Sequence, residues 1–425
     1  MRLPGRVAAA IEVLDEVLTR HRPASEALKD WGKAHRFAGS GDRHVIGTLV
    51  YDGLRRKQSA AFASGDDTAR GVVFGVLKTV WGINAEDIAQ LGGDAHGPKA
   101  PDAAMISTLS RNDLSTDDCV TGDFPQWLEP LLRHVFGGNV VREMQALAQR
   151  APIDVRCNAL KATRDQVLTA LDKYGAVAGP LSPQSVRVAA PTHVGKHVNV
   201  ETEPAHGMGW FEVQDTASQV AALLTGASPG EKIADICAGA GGKTLALAAM
   251  MKNKGQLVAH DMDRRRLRPI FERVTRAGAS CIEVIAAEDG AKLSDMGEFD
   301  CVVIDAPCTG TGTWRRKPDS KWKLKPATLE LRLKDQRDIL MRGSKLVRRG
   351  GRLAFFTCSV LAEENTLQIA DFLAANSGFK IVPYAEQWTH GTAPVSADGS
   401  RATLLLTPAC HGTDGFFAAI LKRVV

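Results

Sequence analysis

The stretch Ala234-Asp235-Ile236-Cys237-Ala238-Gly239-Ala240-Gly241-Gly242-Lys243-Thr244 decides the fold, because it runs from a predicted strand into a predicted helix through a glycine-rich turn. Glycine lets the backbone approach a ligand closely, and a helix N-terminus favours negative groups. Three ligands compete for such a turn. A nucleoside-triphosphate loop needs G-x-x-x-x-G-K-[ST]; Gly242-Lys243-Thr244 matches its end, but Cys237 stands where the first glycine belongs. A dinucleotide turn needs G-x-G-x-x-G, and Thr244 replaces its last glycine. S-adenosylmethionine needs a Gly-rich first turn and an acid after the second strand for the ribose hydroxyls, and Asp261 follows Val258-Ala259-His260 at that place. The bland alternative is a turn that merely joins strand to helix.

Outward from the turn, strand and helix alternate from about Gly207 onward. Strands are predicted at 232–236, 256–260, 282–286, 300–304, 352–357, 379–383 and 416–421. Alternation of this kind gives a mostly parallel, doubly wound α/β sheet, here of seven strands. Upstream the texture differs. Residues 1–123 read as helical: Val7, Ile11, Leu14 and Leu18 share one face, and Ser40-Gly41-Asp42-Arg43 starts a second helix. Between the two, 124–206 reads as a helical linker followed by a small α+β module over about Asp154–Val200, and 207–425 is the sheet domain.

The 425 residues suffice for two or three domains. A hydrophobic content of 44% and a charged content of 24% are ordinary for a globular protein, and a formal charge of +5 suits a nucleic-acid partner without demanding one. The eight cysteines contain no C-x-x-C pair, so a zinc ribbon is not expected and no metal is assigned. The start Met1-Arg2-Leu3-Pro4 lacks a signal-peptide layout, and no apolar run reaches the ~18 residues of a membrane span. A cytoplasmic protein with reduced thiols, no membrane partner and a monomeric state is expected.

Two cysteines end predicted strands: Cys308 in Asp305-Ala306-Pro307-Cys308 and Cys358 in Thr357-Cys358-Ser359. A free cysteine usually packs as a small hydrophobe. Two thiols at strand ends beside a glycine turn suggest covalent catalysis instead.

Taken together, Val213-Gln214-Asp215-Thr216-Ala217-Ser218, the turn from Asp235 to Thr244, Asp261, Asp305-Ala306-Pro307-Cys308-Thr309-Gly310-Thr311-Gly312, Arg315-Arg316-Lys317-Pro318-Asp319, Thr357-Cys358-Ser359-Val360, Glu363-Glu364-Asn365 and Asp414-Gly415-Phe416-Phe417 resemble the Sun/RsmB-type family of RNA cytosine-5 methyltransferases. The resemblance covers roughly residues 125–425. It implies a class I, Rossmann-like methyltransferase domain after a shortened NusB-like helical domain and an RNA-binding module. It implies S-adenosylmethionine as cofactor, held by Cys237, Ala238, Gly239, Ala240, Gly241, Gly242, Lys243, Asp261, Asp289 and Asp305. The family usually has proline at the place of Ala240, so a looser turn is expected here.

The resemblance also implies the chemistry. Cytosine carbon-5 is a poor nucleophile, and addition of a thiolate to carbon-6 makes it reactive. Cys358 would be that nucleophile, Cys308 would help release the product, Asp305 would read the cytosine edge, and Lys243 would neutralise charge near the site or contact RNA. The Pro-Cys motif of DNA cytosine-5 methyltransferases offers the rival assignment, with Cys308 as nucleophile. Ribosomal RNA of the small subunit is the favoured substrate, transfer RNA the next, and a non-catalytic RNA-binding assembly factor the alternative from another class. Arg315, Arg316, Lys317 and Trp322, beside Trp314, Lys321 and Lys323, are expected to meet RNA through phosphate attraction and base stacking. The cluster Arg264-Arg265-Arg266 with Arg268 reads better as a solvated helix face.

Overall fold

The computed structural model describes residues 1–192 and 198–425; residues 193–197, inside the stretch read as the small module, lie outside the described residues. The chain forms two compact units. One comprises Met1–Arg150, a short segment from Pro191 and the distant insert Thr313–Leu324. The other holds the rest, namely Ala151–Ala190, Val198–Gly312 and Lys325–Val425.

The first unit is helical. Helices Leu3–Arg20, Ser40–Arg55 and Ala69–Thr79 place Val7, Leu14, Ile46, Leu49, Val72 and Phe74 in one buried core. The apolar spacing read from Val7 to Leu18 is the face that enters it. Asp123, itself buried, accepts the backbone N–H groups of Gln58 and Ser59 at 2.9 Å and so satisfies the start of helix Lys57–Ser64. The insert closes this unit. Trp314 is fully buried, Trp322 packs on the helical core with its indole N–H donating to the Leu54 carbonyl at 2.6 Å, and Arg55 donates to the Arg315 carbonyl at 3.0 Å.

The second unit contains two sheets. In the smaller, β1 (Ile153–Cys157), β2 (Val177–Ala178), β3 (Ser185–Val188) and β4 (Phe211–Val213) run in the order β2-β3-β1-β4, all antiparallel. Helix Arg164–Leu171 covers one face through Val167 and Leu171. A capping box at Thr163, with Gln166 reaching back, starts that helix. β4 lies beyond 206, so the small sheet takes its last strand from residues read as the start of the larger domain.

The larger sheet contains β5 (Lys232–Asp235), β6 (Gln256–His260), β7 (Ile282–Ile285), β8 (Phe299–Asp305), β9 (Val347–Thr357), β10 (Phe379–Val382), β11 (Leu404–Leu406) and β12 (Phe416–Arg423). Its path is β10-β12-β9-β8-β5-β6-β7. β9-β8-β5-β6-β7 are parallel, and β12 enters antiparallel between β9 and β10. All seven predicted strands are present. The eighth, β11, pairs with β12; three leucines are too short a run to show a period of two. The strand order reverses between β5 and β8, and in open α/β sheets ligands bind at the strand ends beside such a switch. Among the described residues no helix is long and apolar enough to cross a membrane.

Candidate active site

β5 and β8 are neighbours, with Asp235 opposite Val303, and β8 lies beside β9, with Asp305 opposite Phe356. The glycine turn, Asp305 and the two cysteine loops therefore leave the sheet at the same end. The thiols meet: Cys308 Sγ and Cys358 Sγ are 3.3 Å apart, both are unoxidised and both are partly exposed.

Backbone and side chains stitch the two loops together. Gly312 N–H donates to the Cys358 carbonyl at 2.9 Å, and Thr311 Oγ1 lies 3.0 Å from Ser359 Oγ while accepting Val360 N–H. Asn365 accepts from the Thr357 hydroxyl and donates to the Ser359 carbonyl. Buried Glu364 accepts the Thr309 N–H at 2.8 Å, the Thr309 hydroxyl, and Gln336 Nε2 at 3.1 Å; Gln336 Nε2 also donates to the Pro307 carbonyl. Gly312 cannot be otherwise: a Cβ there would stand 2.0 Å from the Gly415 carbonyl oxygen. Sequence reading gave no role to Glu364, Asn365, Thr311 or Gln336. The Glu363-Glu364-Asn365 run was visible, but nothing local shows that its partners come from the Cys308 loop.

The Cys308 pKa is pushed well above the ordinary thiol value, first by the sulfur contact with Cys358, then by burial, and further by the charges of Cys358 and Glu364. Both side chains are partly exposed, so the neighbouring sulfur is the decisive cause.

Lys243, in the first turn of helix Gly242–Met250, is buried; its Nζ lies 2.7 Å from Asp305 Oδ2 and 4.7 Å from the centre of the Phe416 ring. Beneath them Asp235 is buried against the Thr244 hydroxyl at 2.8 Å, and burial, with a smaller push from Asp305, raises its pKa to about 7. On the other side, Asp261 follows β6 and accepts Gly239 N–H at 2.9 Å, which ties the second strand's acid to the turn. Ala238 N–H is bound by the His260 carbonyl, and Cys237 N–H by Asp235. The helix start at Gly241 has no side-chain cap, so its first donors are not claimed by a side chain. Asp289 follows β7 and pairs with Lys292 at 2.8 Å on its own turn.

The expected RNA contacts divide, with Arg316 partly exposed. Arg315 and Lys321 are buried in the helical unit, Trp322 is spent on packing between Lys57 and Lys321, and Lys317 is exposed. Trp314, Trp322 and Lys321, expected in a base-stacking patch, form an internal cation–π cluster.

Residues 222–422 match the model of the 16S rRNA methyltransferase RsmB/F domain, and residues 124–195 match the ferredoxin-like domain of RsmF/B-like methyltransferases. The chain is 36% identical over 304 residues to the ribosomal RNA small subunit methyltransferase B of Shewanella oneidensis, covering 70% of this chain and 67% of that protein. It is 31% identical over 329 residues to the protein of the same name from Photorhabdus laumondii, covering 75% and 72%. The crystal structure of PH0851 superposes on the chain with a TM-score of 0.73 at 25% identity, covering 100% of this chain and 99% of that one.

Proposed function

Because the chain belongs to the 16S rRNA methyltransferase RsmB/F family, we propose that it forms 5-methylcytosine in small-subunit ribosomal RNA, using S-adenosylmethionine. The observation that carries this reading is the pair of thiols 3.3 Å apart beside the Lys243–Asp305 pair. The residues suit the cofactor. Asp261 supplies an acid for ribose hydroxyls next to the turn, and the uncapped start of helix Gly242–Met250 offers N–H donors to a carboxylate. Bound there, the cofactor supplies an electrophilic methyl group.

The chain's own residues do the rest. Cys358 adds as thiolate to cytosine carbon-6, and the ring electrons move toward carbon-5, which becomes the nucleophile. Asp305 accepts a hydrogen bond from the exocyclic amino group, and Lys243 fixes its carboxylate. After methylation Cys308, as thiolate, takes the carbon-5 proton, the 5,6 double bond re-forms as the carbon-6–sulfur bond breaks, and Cys358 departs as thiolate. Cys308 is the thiol beside that bond. Its raised pKa makes its conjugate base a strong proton acceptor. Reaching both sulfurs requires a base out of its stack, so unpaired or flipped-out RNA is the substrate form.

Bisulfite mapping of total RNA from cells with and without the gene tests the reading. Loss of one 5-methylcytosine in small-subunit rRNA is expected. Loss confined to transfer RNA would move the substrate, and an unchanged map would overturn the activity.

A further inference from the structure

We propose that Arg273 is a positioning residue that holds the cofactor turn in shape by anchoring it to the small antiparallel sheet. This rests on the glycine turn being the cofactor site. Helix Ile270–Ala277 lies against that turn: Gly241 has φ +84°, and a Cβ there would meet the Ile270 side chain at 2.6 Å. One turn along, Arg273 Nη1 donates to the Ala240 carbonyl at 2.8 Å. The other edge of its guanidinium, Nε and Nη2, clamps Glu212 Oε2 at 3.0 and 2.9 Å. Glu212 sits on β4 and is buried, and Arg276 binds the same carboxylate at 2.8 Å.

The far end of the helix is held by the same sheet's surroundings. Asn158 Nδ2 donates to the carbonyls of both Ala277 and Gly209 at 2.9 Å, and Lys161 Nζ donates to the Arg276 carbonyl at 2.7 Å. A second arginine repeats the pattern: Arg156 on β1 bonds Gln214 at 2.6 Å and reaches the Gly242 carbonyl at 3.4 Å. The turn carries alanine, not a ring-locked residue, at its apex, so its shape depends on what grips it from outside. A charge-assisted bond from a guanidinium fixed by a buried carboxylate does this with little loss of side-chain entropy, because Arg273 is already ordered. The small sheet thereby sets cofactor affinity without touching the cofactor.

The test uses the full chain, direct binding of S-adenosylhomocysteine by calorimetry, and steady-state kinetics. Arg273→Ala is expected to weaken binding and raise the cofactor KM about ten-fold, the scale of one charge-assisted hydrogen bond, with the RNA KM unchanged. Ala240→Pro, which locks φ at the apex, is expected to restore most of the affinity in the Arg273→Ala background. Arg273→Lys, which keeps the charge but not the fork, gives an intermediate loss and serves if the alanine variant does not fold. Unchanged binding in Arg273→Lys and Arg273→Ala, or loss of binding that Ala240→Pro does not restore, overturns the proposal. A parent protein that does not bind the ligand overturns the cofactor assignment itself.

Discussion

The Cys308–Cys358 site and the Thr313–Leu324 insert lie within a few residues of each other in sequence and end in different units of the molecule. Both are dense in chemically active side chains. In the first, strand ends bring Cys308, Cys358 and Asp305 together partly open, with Asp305 on buried Lys243. In the second, the tryptophans and Lys321 turn inward and pack with the helical core. Residue type alone does not separate the two cases. What separates them is whether the backbone ends a sheet strand or runs as a short helix, Pro318–Lys323, against other helices.

The largest effect expected from this contrast is at the thiols. Cys358→Ala should lower methyl transfer by at least about a thousand-fold, as loss of a covalent nucleophile does, with the melting temperature nearly unchanged. Retained activity in a labelled-methyl transfer assay would put the nucleophile elsewhere. Trp322→Ala should do the reverse. It removes a packed indole and its bond to Leu54, so it should cost the helical unit about 2–3 kcal/mol in denaturant unfolding, while RNA affinity of the folded protein stays within about two-fold. A large loss of RNA affinity without loss of stability would return Trp322 to the RNA surface.

The smallest effect is in pH. Burial lowers the Lys321 pKa from 10.5 to about 7. Between those values the unfolded chain holds more protons, so stability of the helical unit is full above about pH 10.5 and falls as pH drops through 7. Asp235 has the opposite sign: its pKa rises from 3.8 to about 7, so its contribution is full below pH 3.8 and lost as pH rises through 7. Lys321→Met and Asp235→Asn should each flatten one slope in melting curves taken from pH 4 to 10. Identical slopes in parent and variants would mean that neither group titrates as its burial implies.

Much of this was legible in the chain. Short apolar runs separated by helix-length segments marked seven of the strands of the larger sheet, and glycines 239, 241 and 242 marked the turn. Cys308 and Cys358 were legible as strand-end residues, and their contact followed from β8 and β9 being neighbours. β4 was not legible: it is three residues long and its partner β1 lies over fifty positions upstream. Nor were the partners of Glu364, Glu212 and Arg273, which are joined only by tertiary approach. The insert misled because exposed stacking platforms and buried cation–π clusters use the same side chains.

The central claim is that two thiols divide one covalent reaction, Cys358 attacking and Cys308 releasing. Denaturing gel analysis of the Cys308→Ala protein, incubated with S-adenosylmethionine and small-subunit rRNA, tests it most directly. A slowly migrating protein–RNA adduct is predicted, and it should vanish in the Cys308→Ala/Cys358→Ala double variant. An adduct that survives loss of Cys358, or one that forms with Cys358→Ala and never with Cys308→Ala, would contradict the assignment.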